Sequence, residues 1–433
     1  MIEIDTKEIR KAVLCGVLTG KDAGFEKRMD ELEELSKACG YTCVGKLTQR
    51  LTAYENSTYI GSGKLSELSE LMEQEEADTV IFLNALTPPQ LINLTDVLSA
   101  EVIDKTDLIL RIFEERAKTS EAKMQVEYAR LQYMLPRLRG LRKNLSRQGG
   151  TGGSMSNKGS GEKQIELDRR VIEKRMSELR KRLEQIESGR LTQRKRRASS
   201  GLSLVSLAGY TNAGKSTLMN RMISEFGGDE QKKVLEKDML FATLDTSTRR
   251  ISPRAHRDFL LSDTVGFIDD LPHDLVKAFR STLSEIASSD LILHVTDCSD
   301  EEHMHHMEVT RETLKEIGAA GIPVIYVMNK ADRIYDPESL PIISGDRIFM
   351  SAKTGAGVEE LCNMIADRLY GELISCDLLI PYKDSEADHF LSVRAEVESR
   401  EYTAEGIRIS CRIARRDLRR IKEYIRLERQ EKT

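Results

Sequence analysis

Tryptophan is absent from this chain of 433 residues, and aromatic residues make up only 5% of it. Apolar runs such as VIFL and DLILHV are far shorter than the about 20 residues that cross a membrane. The first residues, MIEIDTKEIR, lack a basic segment followed by an apolar one, so no signal peptide is expected. The seven cysteines form no Cys-x-x-Cys pair, which is typical of reduced thiols. These absences predict a cytoplasmic protein without transmembrane segments.

The chain is 39% hydrophobic and 32% charged. At this length, that apolar content is enough to form the cores of several domains. Residues 11–109 alternate strand-like runs (12–19, 79–84, 101–110) with segments of helical period (22–38, 64–76). We therefore predict a small α/β subdomain over residues 1–109.

A heptad pattern follows this subdomain and predicts an antiparallel coiled-coil hairpin over residues 110–197. Its tip is the glycine-rich segment 149–161, which cannot bury enough side chain to be rigid. Apolar residues at heptad spacing form two series: Leu110, Ala117, Met124, Leu131, Leu138 and Leu145 before the tip, and Ile165, Ile172, Leu179 and Ile186 after it.

The formal net charge is only -5, but the hairpin is basic. Residues 130–148 contain six Lys/Arg and no acid, and residues 169–197 contain twelve Lys/Arg against four acids. A solvated coiled-coil surface is one interpretation of this bias. Because both arms share it, we favour a nucleic-acid-binding arm whose cations neutralise phosphates.

Repeated strand–loop–helix units then predict a doubly wound α/β sheet over residues 198–371, with apolar runs at 202–208, 257–263, 290–296 and 323–329. The remaining residues, 372–433, predict a small α+β domain that ends in a basic helix. Residues 408–433 carry ten Lys/Arg against four acids.

The segment GYTNAGKST (209–217) lies between a predicted strand and helix and matches the phosphate-binding loop G-x-x-x-x-G-K-[ST]. Its glycines let the backbone wrap a phosphate, Lys215 reaches the β- and γ-phosphates, and Ser216 offers a hydroxyl to Mg²⁺. The predicted nucleotide-binding residues of this loop are Gly209, Tyr210, Thr211, Asn212, Ala213, Gly214, Lys215, Ser216 and Thr217.

Three further segments occur in the order expected of a guanine-nucleotide site. In DTVG, Asp263 holds Mg²⁺ through water and the Gly266 amide meets the γ-phosphate. In NKAD, the Asp332 carboxylate accepts from the guanine N1–H and 2-amino group, which adenine does not present together. The predicted contacts outside the phosphate-binding loop are Asp263, Thr264, Val265, Gly266, Asn329, Lys330, Asp332, Ser351, Ala352 and Lys353, with Asn329 facing the other edge of the base.

Phe267 replaces the glutamine that orients the attacking water in most hydrolysing GTPases, so no catalytic side chain is assigned. A phenylalanine here anchors the loop in an apolar patch, and it leaves phosphate binding intact while slowing hydrolysis. We expect weak intrinsic hydrolysis that a partner accelerates.

The chain resembles the HflX family of ribosome-associated GTPases over nearly its full length. The resemblance is carried by YIGSGKLSEL (59–68), GEKQIELDRR (161–170), LFATLDTSTRR (240–250) and DTVGFIDDLP (263–272). It implies that Thr243 is the switch I threonine that closes on Mg²⁺, with Thr246 and Thr248 as rivals. It also implies nucleotide contacts from Phe241, Ala242, Thr243, Leu244 and Asp245. Related GTPases with asparagine at the place of Asn212 bind K⁺ there, so K⁺ is a further candidate ligand.

The resemblance further implies that switch I (241–248) and switch II (263–275) control docking of a monomer on the 50S ribosomal subunit and its rRNA through the hairpin. Splitting or rescue of stalled ribosomes under stress is the implied task. A GTPase of ribosome assembly or RNA modification, and a signalling switch whose coiled coil recruits a protein, are the alternatives.

Two further segments give weaker signals. GSGKLS (61–66) lacks the phosphate-loop spacing, so a tight turn is favoured over a second nucleotide site. EEHMHH (301–306) brings His303 and His306 together on a helix without a third ligand, which favours a solvated helix start over zinc.

Overall fold

The computed structural model describes residues 10–20, 24–148, 155–200, 202–227, 247–253, 256–264, 266–267, 285–371, 373–415 and 417–429. The chain divides into two compact units, one built mainly on residues 1–186 and the other mainly on residues 187–433. No helix among the described residues is both long enough and apolar enough to cross a membrane.

The first unit contains a parallel sheet in the order β2-β1-β3-β4. Val13, Val80 and Phe82 are fully buried, as expected for strands that helices cover. The predicted α/β unit is thus confirmed. Its elements are β1 (Arg10–Thr19), α1 (Phe25–Ala38), β2 (Tyr41–Leu51), α2 (Ser62–Glu75), β3 (Thr79–Phe82), α3 (Pro88–Leu98), β4 (Glu101–Asp104) and α4 (Lys105–Arg116).

Helix α4 belongs to this sheet unit, which corrects the predicted start of the hairpin. Leu110 is fully buried and α4 packs against β3, β4 and α1. The helix ends at Arg116, and α5 (Ser120–Gln148) begins after a short break. The heptad series starting at Leu110 therefore runs over two separate helices, because burial in the α/β core produced the same apolar spacing.

The arms of the predicted hairpin are α5 and α6 (Met155–Ser200). On α5 the buried apolar residues are Ala122, Val126 and Ala129, and this helix packs against α3 and α4. On α6 the predicted spacing holds, since Leu179 is fully buried and Ile172 is half-buried. Of the predicted tip, residues 155–161 are helical, and residues 149–154 lie outside the described residues.

The second unit confirms the predicted doubly wound sheet. Seven strands lie in the order β10-β11-β9-β8-β5-β7-β6, with antiparallel pairing only for β10/β11 and β6/β7. The strands are β5 (Ser203–Ala208), β6 (Ser247–Ile251), β7 (Phe259–Asp263), β8 (Leu291–Asp297), β9 (Val324–Asn329), β10 (Ile342–Ser344) and β11 (Arg347–Phe349), and the helices are α7 (Lys215–Phe226), α8 (His303–Glu316) and α9 (Val358–Tyr370). The predicted motifs follow the carboxyl ends of β5, β7, β9 and β11.

The C-terminal part is a four-stranded antiparallel sheet in the order β13-β14-β12-β15 with one long helix, which confirms the α+β tail. The predicted basic helix is wrong. Among the described residues after position 414, only Leu418–Ile421 form an α-helix, α11. The chain then enters an edge strand whose sequence IRLER alternates apolar and charged residues. The other elements are β12 (Leu373–Ile380), α10 (Ser385–Arg394), β13 (Ala395–Thr403), β14 (Gly406–Ala414) and β15 (Ile425–Arg429).

Candidate guanine-nucleotide site

The phosphate-binding loop joins β5 to α7 and depends on two glycines. At Gly209 an added Cβ would lie 2.1 Å from the Val295 carbonyl oxygen, and at Gly214 it would lie 2.2 Å from Nδ2 of Asn329. Gly214 also has a φ of 90°, which side chains rarely adopt. The loop therefore packs directly on the ends of β8 and β9, with no room for side chains at these positions.

Lys215 begins helix α7 and is buried beneath the loop. Its Nζ donates to the carbonyl oxygens of Gly209 at 2.9 Å and Tyr210 at 2.7 Å. Burial lowers the pKa of the Lys215 amine to about 8, against an opposing effect of Asp263. A phosphate beside this amine would supply the negative charge that favours its protonated form.

Ser216, in the first turn of α7, and Asp263, at the end of β7, bring two hard oxygen donors together. Ser216 Oγ donates to Oδ2 of Asp263 at 2.8 Å, and the Thr264 amide donates to Oδ1 of the same carboxylate at 3.0 Å. Asp263 is fully buried. A hydroxyl beside a carboxylate is the donor set that Mg²⁺ prefers, so these residues fit the ion that the resemblance implies.

Phe267 is bound to the phosphate-binding loop through its main chain. Its amide donates to Gly209 O at 3.1 Å, and its carbonyl accepts from the Thr211 amide at 2.7 Å. The side chain is buried, with 2% exposure. Gly266 also packs closely on the loop, since an added Cβ there would lie 2.9 Å from Thr211 Cα. Phe267 is therefore an anchor between switch II and the loop.

Asn329 joins three of the predicted motifs, in addition to its predicted place at the edge of the base. Its Nδ2 donates to Ala213 O at 2.9 Å, and its Oδ1 accepts from the Ala352 amide at 2.9 Å. The side chain is buried, and its amide group has one further N–H for a base. Asn329 thus holds the phosphate-binding loop and the SAK loop in register.

The remaining base-site residues lie close to Asn329 in sequence or in space. Lys330 has a left-handed φ of 60°, and its Nζ lies 2.8 Å from Oδ2 of Asp297. Asp332 lies in the turn that follows. Ser351 is buried and its hydroxyl accepts from the Thr354 amide at 3.2 Å, whereas Lys353 is exposed.

Three family models match consecutive parts of the chain. Residues 26–114 match the N-terminal domain of GTP-binding GTPases, and residues 116–197 match their middle region. Residues 204–330 match a family described as 50S ribosome-binding GTPase.

Several relatives match this chain over most of its length and of their own. The GTPase HflX of Caldanaerobacter subterraneus subsp. tengcongensis is 37% identical over 419 residues, which cover 97% of this chain and 94% of the relative. This chain belongs to the HflX family of GTPases. GTPase HflX of Alkalihalophilus pseudofirmus is 41% identical over 420 residues (94% and 95%), and that of Escherichia coli K12 is 39% identical over 377 residues (86% and 85%).

A solved structure of a GTP-binding protein from Sulfolobus solfataricus in complex with GDP is similar at 25% identity and a TM-score of 0.44. The match covers 83% of this chain and 99% of that one. As an HflX family member, the chain is a P-loop GTPase that binds GTP and GDP. The role of each predicted contact residue stays a prediction.

Two residues of this HflX-type site escaped the sequence analysis, and both lie on β8. Asp297 faces Lys330, and the signal was a carboxylate at the end of a strand that pairs with β9. His294 is buried beside the phosphate-binding loop, in register with Ala208. Burial, together with the charge of Lys215, lowers the pKa of His294 to about 4.

Part of the predicted site lies outside the described residues, namely Phe241, Ala242, Thr243, Leu244, Asp245, Thr246, Val265 and positions 268–275 of switch II. Of the rivals for the switch I threonine, Thr248 lies in β6 and its hydroxyl donates to Oε1 of Glu285 at 3.3 Å. That contact holds Thr248 at the edge of the seven-stranded sheet.

The two weaker sequence signals have structural positions. His306 of α8 stacks on the ring of Tyr210 at 3.9 Å between centroids, so this histidine supports the phosphate-binding loop. GSGKLS is the start of α2 rather than the predicted tight turn, because the helix begins at Ser62.

Proposed function

We propose that this GTPase binds the 50S ribosomal subunit in its GTP state through the basic helices α5 and α6, and leaves after hydrolysis. Splitting or rescue of stalled ribosomes under stress is the task we assign to the cycle. The match of residues 204–330 to 50S ribosome-binding GTPases carries the proposal. The excess of Lys/Arg on both arms supports it, since cations that neutralise phosphates supply most of the affinity for RNA.

Each motif of the nucleotide site would have a separate role. Lys215 and the loop amides bind the phosphates, Asp332 reads guanine, and Asn329 holds the two regions at a constant separation. Bound Mg²⁺ would neutralise phosphate charge, with Ser216 as a direct ligand, Asp263 acting through water and Thr243 as the switch I ligand.

Hydrolysis would depend on a group from outside the site. The side chain of Phe267 has no polar atom to hold a water. Its buried ring and its main-chain hydrogen bonds keep it against the phosphate-binding loop. When γ-phosphate meets the Gly266 amide, the neighbouring Phe267 would transmit the nucleotide state to the rest of switch II. The docked ribosomal particle would then complete the catalytic arrangement.

One basic residue of the arm does not fit direct RNA binding. Arg137 donates from Nη2 to the buried Asp104 at 3.0 Å, and its guanidinium lies over the ring of Tyr133. We therefore assign Arg137 to anchoring α5, and RNA binding to the cations farther along the arm.

Cosedimentation tests the proposal. The full chain is mixed with 30S, 50S and 70S particles in a non-hydrolysable GTP analogue or in GDP. We expect binding to 50S with the analogue only, and a steep loss between about 50 and 200 mM salt. Neutralising Arg139, Arg142 and Lys143 together should abolish binding while GTP affinity is kept. The change of an exposed pair outside the arm, Lys37→Gln and Glu34→Gln on α1, serves as control.

Two results would count against it. Equal sedimentation in GDP and in the analogue would remove the nucleotide switch. Salt-resistant binding that persists in the triple variant would favour an apolar protein partner, and preference for free RNA over 50S would favour a role in RNA assembly or modification.

A further inference from the structure

The end of β8 carries a carboxylate that reaches the lysine of the guanine-recognition motif. Asp297 and Asn329 are paired in the register of β8 and β9, so Lys330 follows directly on the neighbouring strand. Oδ2 of Asp297 lies 2.8 Å from Nζ of Lys330. Both side chains are about one-fifth exposed, at 18% and 19%, so water screens the pair only in part.

Asp297 is itself held in place from its other side. Oδ1 accepts from the Ser299 amide at 3.0 Å and from the Ser299 hydroxyl at 2.6 Å. Burial raises the pKa of the Asp297 carboxyl, but the bonds from Lys330 and Ser299 outweigh burial and leave it lowered. Asp297 therefore stays ionised and oriented toward Lys330 near neutral pH.

The main chain of Lys330 is held in an unusual conformation. Its φ of 60° lies in the left-handed region, which costs a residue with a Cβ free energy. The strand before it is tied to the β8 loop, since the Cys298 amide donates to Asn329 O at 3.0 Å. The contacts fix both ends of Lys330, the main chain through β9 and the ammonium through Asp297.

We propose that Asp297 is a positioning residue for guanine binding that acts through Lys330. The aliphatic stem of Lys330 covers the face of the base, and Asp297 orders that stem before the nucleotide arrives. A lysine loses much rotamer freedom when it is ordered, and ordering it in advance removes that cost from binding.

The test is Asp297→Asn, which keeps the shape of the side chain and an acceptor for Ser299 but removes the charge facing Lys330. We expect KM for GTP and Kd for GDP to rise by the same factor, about tenfold, as for the loss of one charge-assisted hydrogen bond. kcat at saturation and the Kd of inorganic pyrophosphate should stay within about twofold. Asp336→Asn, a change at an exposed aspartate of the loop after Lys330, is the matched control.

A double-mutant cycle with Lys330→Met separates positioning from a general structural role. If Asp297 acts through Lys330, Asp297→Asn adds no loss once the ammonium is gone. An equal loss in both backgrounds, a fall in kcat, weaker pyrophosphate binding or an unchanged KM would each overturn the proposal. Asp297→Glu keeps the charge and should lose less than Asp297→Asn, which gives a second readout if the asparagine variant folds poorly.

Discussion

Arg137 of α5 donates to the carboxylate of Asp104, which lies at the end of β4 and is 1% exposed. The same carboxylate accepts from the Tyr133 hydroxyl at 2.7 Å, the Leu86 amide at 3.1 Å and the Asp107 amide at 2.9 Å. A single buried charge thus joins the N-terminal sheet to the middle of α5. The base of the basic arm is therefore a rigid continuation of the sheet unit.

Replacing Asp104 with Asn should loosen this junction, because it leaves Arg137 beside a neutral group. Breaking a buried ion pair costs about 3 kcal/mol, equivalent to about 100-fold faster local opening. Hydrogen exchange followed by mass spectrometry should show faster exchange in residues 120–138 and no change in α7. Arg169→Gln on α6, which breaks a more exposed pair with Glu173, should leave both regions unchanged.

Asn329→Ala should impair phosphate and base binding together. Its side chain bonds both Ala213 and Ala352, so its loss leaves a buried carbonyl and a buried amide without their partners. We expect GDP affinity to fall at least about 100-fold. Inorganic pyrophosphate should also bind more weakly, as measured by calorimetry. Glu338→Ala, at an exposed residue of the loop after Asn329, should change neither value by more than about twofold. Unchanged pyrophosphate binding in Asn329→Ala would contradict the bridging role.

Ribosomal 50S subunits should accelerate GTP turnover, because Phe267 supplies no group for the attacking water. A transition-state cation supplied by a partner is worth about 10³ to 10⁵ in rate. Phe267→Gln should not restore fast intrinsic hydrolysis, since the buried position turns the amide toward a packed interior. Phosphate release with and without 50S measures both effects, and equal rates in the two conditions would refute dependence on the particle.

His294 should make the second unit less stable in acid. Its folded pKa is about 4, against 6.5 for the ordinary group, so the unfolded chain binds a proton first as pH falls. The contribution of neutral His294 to the free energy of unfolding is present above pH 6.5. It is about 2 kcal/mol smaller at pH 5 and is lost as the pH falls through 4. Urea titrations at pH 7 and pH 5 should show this difference, and His294→Asn should reduce it. His305→Gln, at an exposed histidine, should leave it intact.

K⁺ should support hydrolysis if Asn212 provides a ligand to it. Asn212 holds a left-handed φ of 58° within the phosphate-binding loop, a conformation that asparagine tolerates better than most residues. Turnover should be faster in KCl than in NaCl at equal ionic strength, and Asn212→Ser should reduce the difference. Identical rates in the two salts would exclude this site.

The local motifs could be predicted from the sequence because each is a continuous segment whose backbone conformation requires particular residues. The spacing of Gly209, Gly214 and Lys215 between a strand and a helix indicates a phosphate-binding loop. The apolar runs that alternate with helical segments predicted the parallel sheet. The predicted basic helix failed because charge says little about secondary structure, whereas the IRLER alternation supports a strand.

The amino-acid sequence by itself determined the fold class, the guanine-nucleotide motifs and the basic character of two long helices, since these depend on neighbours along the chain. Tertiary structure alone decided that Leu110 lies in the sheet unit, that Arg137 is bound to Asp104 and that Asp297 faces Lys330. In each of the two ion pairs, the partners lie about 30 positions apart in the sequence. They arise only when packing brings separate elements together and makes each buried charge find a partner.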